Sequence, residues 1–315
     1  MKNLLVFSTP ESAYFAGKIA QGLGAPLGKI SRDRFADGEL YHRIEIEGRN
    51  DLFGKTAIFV ASTNTDKSFD DLEKIGFTLA DYGTTRRIFV IPFFGYSTME
   101  RAVEPGEAVA AKINARRLSA IPNSDKGNIF LLLDLHVSAI LHYFEGDCLR
   151  YELYGENVLT KAIEELNLEK FVLGTADLGK TKWVETFADK FKTDIVFIRK
   201  TRVFKTTKVM DVIGDVAGKK VVIYDDMTRS GGTLIAAAEA YRQRGATEVY
   251  AVLSHLALSD ETVIKKLVAS PLKKIIATNS HPMSEHPRVK RTKKFIIKDV
   301  SGEFVSFIKK KLNEQ

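Results

Sequence analysis

Short apolar runs alternate with stretches of helical period along the whole chain. Leu4–Ser8 reads as a strand, and Pro10–Gly22 as a helix opened by proline near its first turn. Tyr41–Ile46 alternates in polarity, as a half-buried strand does, while Thr56–Ala61, Arg87–Phe93 and Asn128–Leu133 are continuous apolar strands. Helices are predicted over Phe69–Tyr82, stopping at Gly83, and over Gly106–Leu118. A second series follows. It predicts helices at Glu156–Leu166, Lys182–Phe191, Gly232–Arg244, Asp260–Ala269 and Ser301–Leu312. Its strands are Phe171–Thr175, Ile195–Ile198, Lys219–Tyr224, Glu248–Ser254 and Lys274–Thr278. The last helix carries basic residues in its final turn, as the helix dipole prefers.

Strands alternating with helices imply an α/β fold with parallel sheets covered on both faces. The chain has 315 residues, long for one core, so two domains are expected. The halves share an element order, and each has a late apolar strand ending in an acid, Asp134 or Asp225-Asp226. Two tandem doubly wound parallel-sheet domains follow, over 1–148 and 149–315, joined near Gly146–Leu153. The closing helix, 301–312, ends the second domain and is free to pack on the first.

The most informative stretch is Val221–Leu234, VVIYDDMTRSGGTL. A buried strand runs into Asp225 and Asp226, then a small polar loop with Arg229, Ser230, Gly231, Gly232 and Thr233, then a helix. Backbone N–H groups and the helix dipole make such a corner an anion site, and glycine lets backbone approach a phosphate. The paired acids can hold ribose hydroxyls, directly or through a divalent cation. An ordinary strand-turn-helix would not need the acids, the hydroxyls and the glycines together.

Other stretches are more ambiguous alone. Phe35, Asp37, Gly38 and Glu39 lie in RFADGE, read as a Gly turn between a helix and a strand. Phe35 could stack on a base, and the acids could accept from an exocyclic amine or ribose hydroxyls. His136 closes Asp134-Leu135-His136 at the carboxyl end of a strand, where open α/β sheets bind ligands; it is either a metal ligand or a satisfied core histidine. Asp177 holds the same place after Phe171–Thr175. Lys200 and Arg202 open a polar, basic segment to Lys208 that reads as a mobile loop. It is either a solvated turn or a lid that brings cations to a phosphoryl group.

Composition narrows the setting. Hydrophobic content is 44%, net charge is +7, and the single cysteine, Cys148, rules out an intrachain disulfide. The basic clusters HPRVKRTKK and IKKKL lack the aromatics, zinc spacing or helix-turn-helix cue that would favour nucleic acid. The opening MKNLLVFST has too short an apolar run for a signal peptide, and no run approaches a membrane span. A soluble, cytoplasmic protein is expected, with no nucleic-acid or membrane partner.

Taken together, these motifs resemble the ribose-phosphate diphosphokinases over nearly the full chain. RFADGE is similar to that family's nucleotide-site turn, DLH to its metal-binding histidine motif, and the aspartate of TADLG to its second metal and ribose-site acid. VMDVIGDVAGKKVVIYDDM runs parallel to the family pattern before the phosphate loop, and Lys200 and Arg202 fall on its catalytic pair. ERAVEPGEAVAAKINARRLSAIP looks most like the plant-type subgroup, which is less selective for its donor. The resemblance implies domains of the type I phosphoribosyltransferase kind. It also implies transfer of the diphosphoryl group of ATP to the 1-hydroxyl of ribose 5-phosphate, giving phosphoribosyl diphosphate and AMP. ATP would meet Phe35, Asp37, Gly38, Glu39, Arg101 and His136. Ribose 5-phosphate would meet Asp177, Asp225, Asp226 and residues 229–233. Mg2+ would be held by His136 and Asp177, and the protein would be a homo-oligomer: a dimer, trimer or hexamer. Two departures bear on this. Thr98 and Met99 stand where an Arg-Gln pair is usual, leaving Arg101 as the substitute contact, and Arg229 replaces a common aspartate. Those departures leave room for a larger ribosyl acceptor such as ADP-ribose. A phosphoribosyltransferase and a non-catalytic regulatory homologue are the remaining alternatives.

Overall fold

The apolar runs of the first half assemble into one parallel sheet. A computed structural model describes residues 3–124, 126–176, 181–203 and 207–313, with backbone alone at 181–183, 186, 200–203 and 207–210. In it β1 (Leu4–Ser8), β4 (Thr56–Val60), β5 (Arg86–Ile91), β6 (Asn128–Leu133) and β7 (Leu149–Leu153) lie side by side in that order. Every residue of β5 and β6 is buried, as expected of parallel strands covered on both faces. Register carries the packing across strands. Phe59 is paired with Phe89 and Phe89 with Phe130, and the last two rings stack at 4.8 Å. The helices of this unit are α1 (Ala13–Leu23), entered through a 3-10 turn at Pro10–Ser12, α2 (Asp66–Asp81) and α3 (Ala110–Ser119).

A separate two-stranded antiparallel ribbon, β2 (Ile30–Arg34) with β3 (Leu40–Ile44), also belongs here. RFADGE therefore joins two strands, not a helix and a strand. The sequence IleSerArgAspArg hid β2 because a ribbon outside the main sheet buries no continuous face, so it needs no apolar run.

The second unit spans Gly155–Asp299. Its strands β8 (Phe171–Thr175), β9 (Ile195–Val203), β10 (Thr207–Ile213), β11 (Lys220–Met227), β12 (Glu248–His255), β13 (Leu272–Thr278) and β14 (Phe295–Lys298) are ordered β10-β9-β8-β11-β12-β13-β14. All pairs are parallel except β9 with β10. Alternation along β11 divides the core in two. Val221 and Ile223 pack with residues of α6 (Gly232–Gln243) and α7 (Glu261–Ala269), including Ala237, Tyr241 and Ile264. Val222 and Tyr224 pack with α4 (Glu156–Glu164) and α5 (Thr181–Phe191), through Leu159 and Phe187. A short α8 (Pro287–Arg291) precedes β14.

Two expectations change. Residues 200–203 continue β9, and Thr207–Lys208 begin β10, so the described part of the expected loop is antiparallel edge strand, Arg202 paired with Lys208; residues 204–206 lie outside the described residues. Backbone pairing holds such an edge, and backbone pairing leaves no apolar signature in sequence. Leu149–Leu153, where the domain joint was placed, is the last strand of the first sheet, and the chain divides after Tyr154. The closing helix α9 (Ser301–Asn313) belongs with the first unit, where it packs on α1 with Phe304 edge-on to Phe15 at 5.6 Å.

Cys148 is buried, its thiol donates to the Glu145 carbonyl at 3.3 Å, and burial pushes its pKa up, so it is a packing residue. Among the described residues no helix is long and apolar enough to cross a membrane.

At the amino end of β5, opposite the ligand-binding edge, Arg87 is 1% exposed. Its guanidinium donates to Asn128 Oδ1 at 2.8 Å, the Thr84 carbonyl at 2.8 Å, Thr84 Oγ1 at 3.0 Å and the Pro122 carbonyl at 2.6 Å. Arg87→Ala strands these buried acceptors and should cost the first unit about 3 kcal/mol. A urea titration checks this; a loss below about 1 kcal/mol would contradict the assignment.

Candidate functional site

In the second unit the pattern Asp-Asp-loop-helix folds into one corner. β11 extends through Asp225 and Asp226 to Met227, so the acids form the last turn of the strand's pleat instead of following it. Asp225 is half-buried and Asp226 is 6% exposed. The Asp225 carboxylate accepts from the Asp226 amide at 2.9 Å. Arg229, Ser230, Gly232 and Thr233 are exposed around the loop, and α6 starts at Gly232. Gly231 turns the chain with φ +72°, and a Cβ there would meet Leu267 of α7 at 3.0 Å. Glycine is thus required twice over, by backbone conformation and by the close helix behind it. The first N–H groups of α6 have no intrahelical partner, and that of Gly232 donates to Ser230 Oγ at 3.4 Å.

Histidines stand behind this corner. His255 is the register partner of Met227, and its carbonyl accepts from the Thr228 amide at 3.3 Å. Its Nδ1 lies 2.7 Å from Ser280 Oγ. His281 is 6% exposed, and its Nδ1 accepts from the Met283 amide at 3.1 Å, which leaves the proton of the neutral ring on Nε2. Sequence reasoning passed over both, since a lone histidine after a strand is a weak signal.

The carboxyl edge of the first unit's sheet is built differently. β6 ends at Leu133 and runs into Asp134, 3% exposed with φ +40°, followed by buried Leu135 and half-buried His136. The Leu135 amide donates to Glu152 at 2.9 Å. Arg101 is exposed, 3.6 Å from Glu100, and Met99 is 42% exposed. At the ribbon tip, the Phe35 amide donates to the Glu39 carbonyl and the Gly38 amide to the Phe35 carbonyl, each at 2.9 Å. Gly38 takes φ +98°. Asp37 accepts from the Glu39 amide at 3.1 Å, so one of its oxygens shapes the turn. Phe35 is 56% exposed and meets Tyr41 edge-on at 5.8 Å. The ring is therefore presented, not buried.

Within the second unit, then, Asp225, Asp226 and residues 229–233 come together in one corner; within the first, Phe35, Asp37, Gly38 and Glu39 share one turn. Asp177 lies outside the described residues, and Lys200 and Arg202 are described by backbone only, two positions apart on β9. Among the described residues no three His, Cys, Asp or Glu side chains converge as a metal site. Sequence reading missed Arg32, His42 and Asp71, which meet beneath the ribbon.

Known families match both halves. The N-terminal domain of ribose phosphate pyrophosphokinase matches residues 4–121, and the phosphoribosyl synthetase-associated domain matches residues 181–314. A ribose-phosphate pyrophosphokinase of Porphyromonas gingivalis is 33% identical over 287 residues, covering 89% of this chain and 87% of its own length. One of Bacillus subtilis is 30% identical over 307 residues, covering 96% of this chain and 93% of its own. The crystal structure of phosphoribosylpyrophosphate synthetase from Mycobacterium smegmatis has a TM-score of 0.87 over 99% of this chain and 100% of that chain, at 23% identity, a likeness of fold.

Burial, then the charges of His255 and Arg229, push the His281 pKa from 6.5 down to about 3. Below pH 6.5 the unfolded chain takes up a proton that the folded chain refuses until about pH 3, so stability falls as pH drops through that window. The slope from this group is roughly 1 kcal/mol per pH unit. His281→Asn keeps a capping oxygen. It should flatten the loss of urea stability between about pH 6 and pH 4; equal slopes in parent and variant would contradict the assignment.

Proposed function

The chain belongs to the ribose-phosphate pyrophosphokinase family, and we propose that its two units divide that family's reaction between them. The diphosphoryl group of ATP passes to the 1-hydroxyl of ribose 5-phosphate, giving 5-phosphoribosyl 1-diphosphate and AMP. The observation that carries the reading is the corner at the end of β11, with a left-handed Gly231, a helix N-terminus and two carboxylates side by side.

The second unit takes the acceptor. The 5-phosphate sits on the amides of residues 229–233, where Arg229 and the helix dipole add positive field. Asp225 and Asp226 accept from the ribose hydroxyls and so orient the 1-hydroxyl. The first unit takes the donor, with Phe35 under the base and Asp37 and Glu39 beside its polar edge. Arg101 and His136 meet the phosphates. Asp177 joins the acceptor side by resemblance.

No protein nucleophile is required. Transfer between two bound oxygens is governed by alignment and by charge stabilisation. Lys200 and Arg202, two residues apart on β9, provide cationic charge that counts most as negative charge shifts to the leaving AMP. The carboxylates at the two strand ends, Asp134 and Asp225 with Asp226, are oxygen donors suited to a hard cation. His136 on the donor side and Asp177 on the acceptor side would hold Mg2+, which would supply neutralisation of the phosphates. The single cysteine fits a cytoplasmic setting, and the resemblance implies a homo-oligomer.

Phosphorus NMR of the chain with ATP, Mg2+ and ribose 5-phosphate should show AMP and a C1 diphosphate appearing together. Lys200→Ala should lower kcat by about 100-fold or more with little change in ribose 5-phosphate affinity, because its charge matters chiefly in the transition state. Near-normal turnover in that variant would remove Lys200 from the catalytic group.

A further inference from the structure

A two-stranded ribbon is marginal in water by itself, so the turn at its tip needs an anchor. Arg32 of β2 and His42 of β3 are direct register partners across the ribbon. Both face one carboxylate of α2. Arg32 Nε donates to Asp71 Oδ2 at 2.7 Å, and Arg32 Nη2 donates to the Ser8 carbonyl, the last residue of β1, at 2.7 Å. His42 Nε2 stands 3.5 Å from Asp71 Oδ1. Asp71 itself is 3% exposed. One buried carboxylate therefore touches both strands of the ribbon.

Apolar packing holds the base of the ribbon, where the register partners Ile30 and Ile44 join the core, but not the part nearer the tip. An open groove of about 540 Å3 separates ribbon from helix, with Phe35, Tyr41 and His42 on one wall and Lys74, Phe77 and Thr78 on the other. A buried ion pair is also a weak source of stability, because desolvation offsets much of the Coulomb gain. Its strength is geometric. The Arg32 fork meets Asp71 Oδ2 and the Ser8 carbonyl together, a pair of bonds that only one position of the strand allows, while Asp71 Oδ1 is left facing His42. Burial pushes the Asp71 carboxyl up and Arg32 pulls it back; His42 is pushed down by burial and pulled up by Asp71.

We propose that Asp71 is a positioning residue for nucleotide binding: through Arg32 and His42 it fixes the β2–β3 ribbon on α2, and with it the Phe35–Glu39 turn. This rests on the reading that the turn binds the donor. Asp71 touches no substrate. It sets where Phe35, Asp37 and Glu39 stand before the nucleotide arrives, which lowers the ordering cost of binding.

The test pairs amide hydrogen exchange with steady-state kinetics on the full chain. In Asp71→Asn, exchange at the Phe35 and Gly38 amides should quicken by about tenfold or more, while amides of β5 and β6 stay protected. The KM for ATP should rise by about tenfold, with kcat and the KM for ribose 5-phosphate unchanged. Arg32→Lys keeps the charge but not the fork, and should move both readouts in the same direction. Unchanged exchange at Phe35 and Gly38 in both variants overturns the clamp. Faster exchange there with an unchanged ATP KM upholds the clamp and instead removes the turn from the nucleotide site.

Discussion

Parallel pairing is the constraint on which the rest of this protein depends. A strand that must pair in the same direction as its neighbour cannot turn back at once; the chain has to leave the sheet at its carboxyl edge and cross over. Loops therefore collect at that edge, next to helix N-termini, in each unit. Asp225, Asp226 and the glycine loop stand there in the second unit, and Asp134 and His136 stand there in the first. The continuous burial of β5, β6 and most of β11 secures those edges, because residues fixed in a two-sided core leave little freedom to whatever follows them.

The same edge is used differently in the two units. After β11 the proposed site is built from backbone: Gly231 turns left-handed against Leu267 of α7, at the N-terminus of α6. In the first unit no such corner follows β6. A ribbon lying outside the sheet carries the aromatic and acidic side chains instead; its base joins the core at Ile44, and a polar anchor holds it further out. A backbone site suits a phosphate, which looks alike from many directions. A base has edges and a face, and side chains suit it better.

What was legible in the sequence follows the same division. Strands buried on both faces betray themselves as apolar runs, so β1, β4, β5, β6, β8, β11 and β12 were readable to within a few residues. The corner after β11 was readable because its glycines, hydroxyls and acids are each needed for a separate reason. β2 was missed because its five residues are mostly polar, and the extension of β9 along its antiparallel partner β10 was read as a loop. Both are held by backbone pairing, which any residue can supply. Asp71, Arg32 and His42 are far apart in sequence and meet only because the ribbon folds across α2; no local pattern marks them. An amphipathic helix shows that it packs, not on what, so the sequence left α9 free to pack on the first unit without requiring it.

The central claim is that acceptor and donor are held by separate groups on separate units. Calorimetric titration of ribose 5-phosphate and of a non-transferable ATP analogue, each alone, tests it with Asp225→Asn and Phe35→Ala. The account predicts that Asp225→Asn weakens the sugar phosphate by about tenfold or more and spares the nucleotide, while Phe35→Ala does the reverse. Equal losses of both ligands in either variant would contradict it.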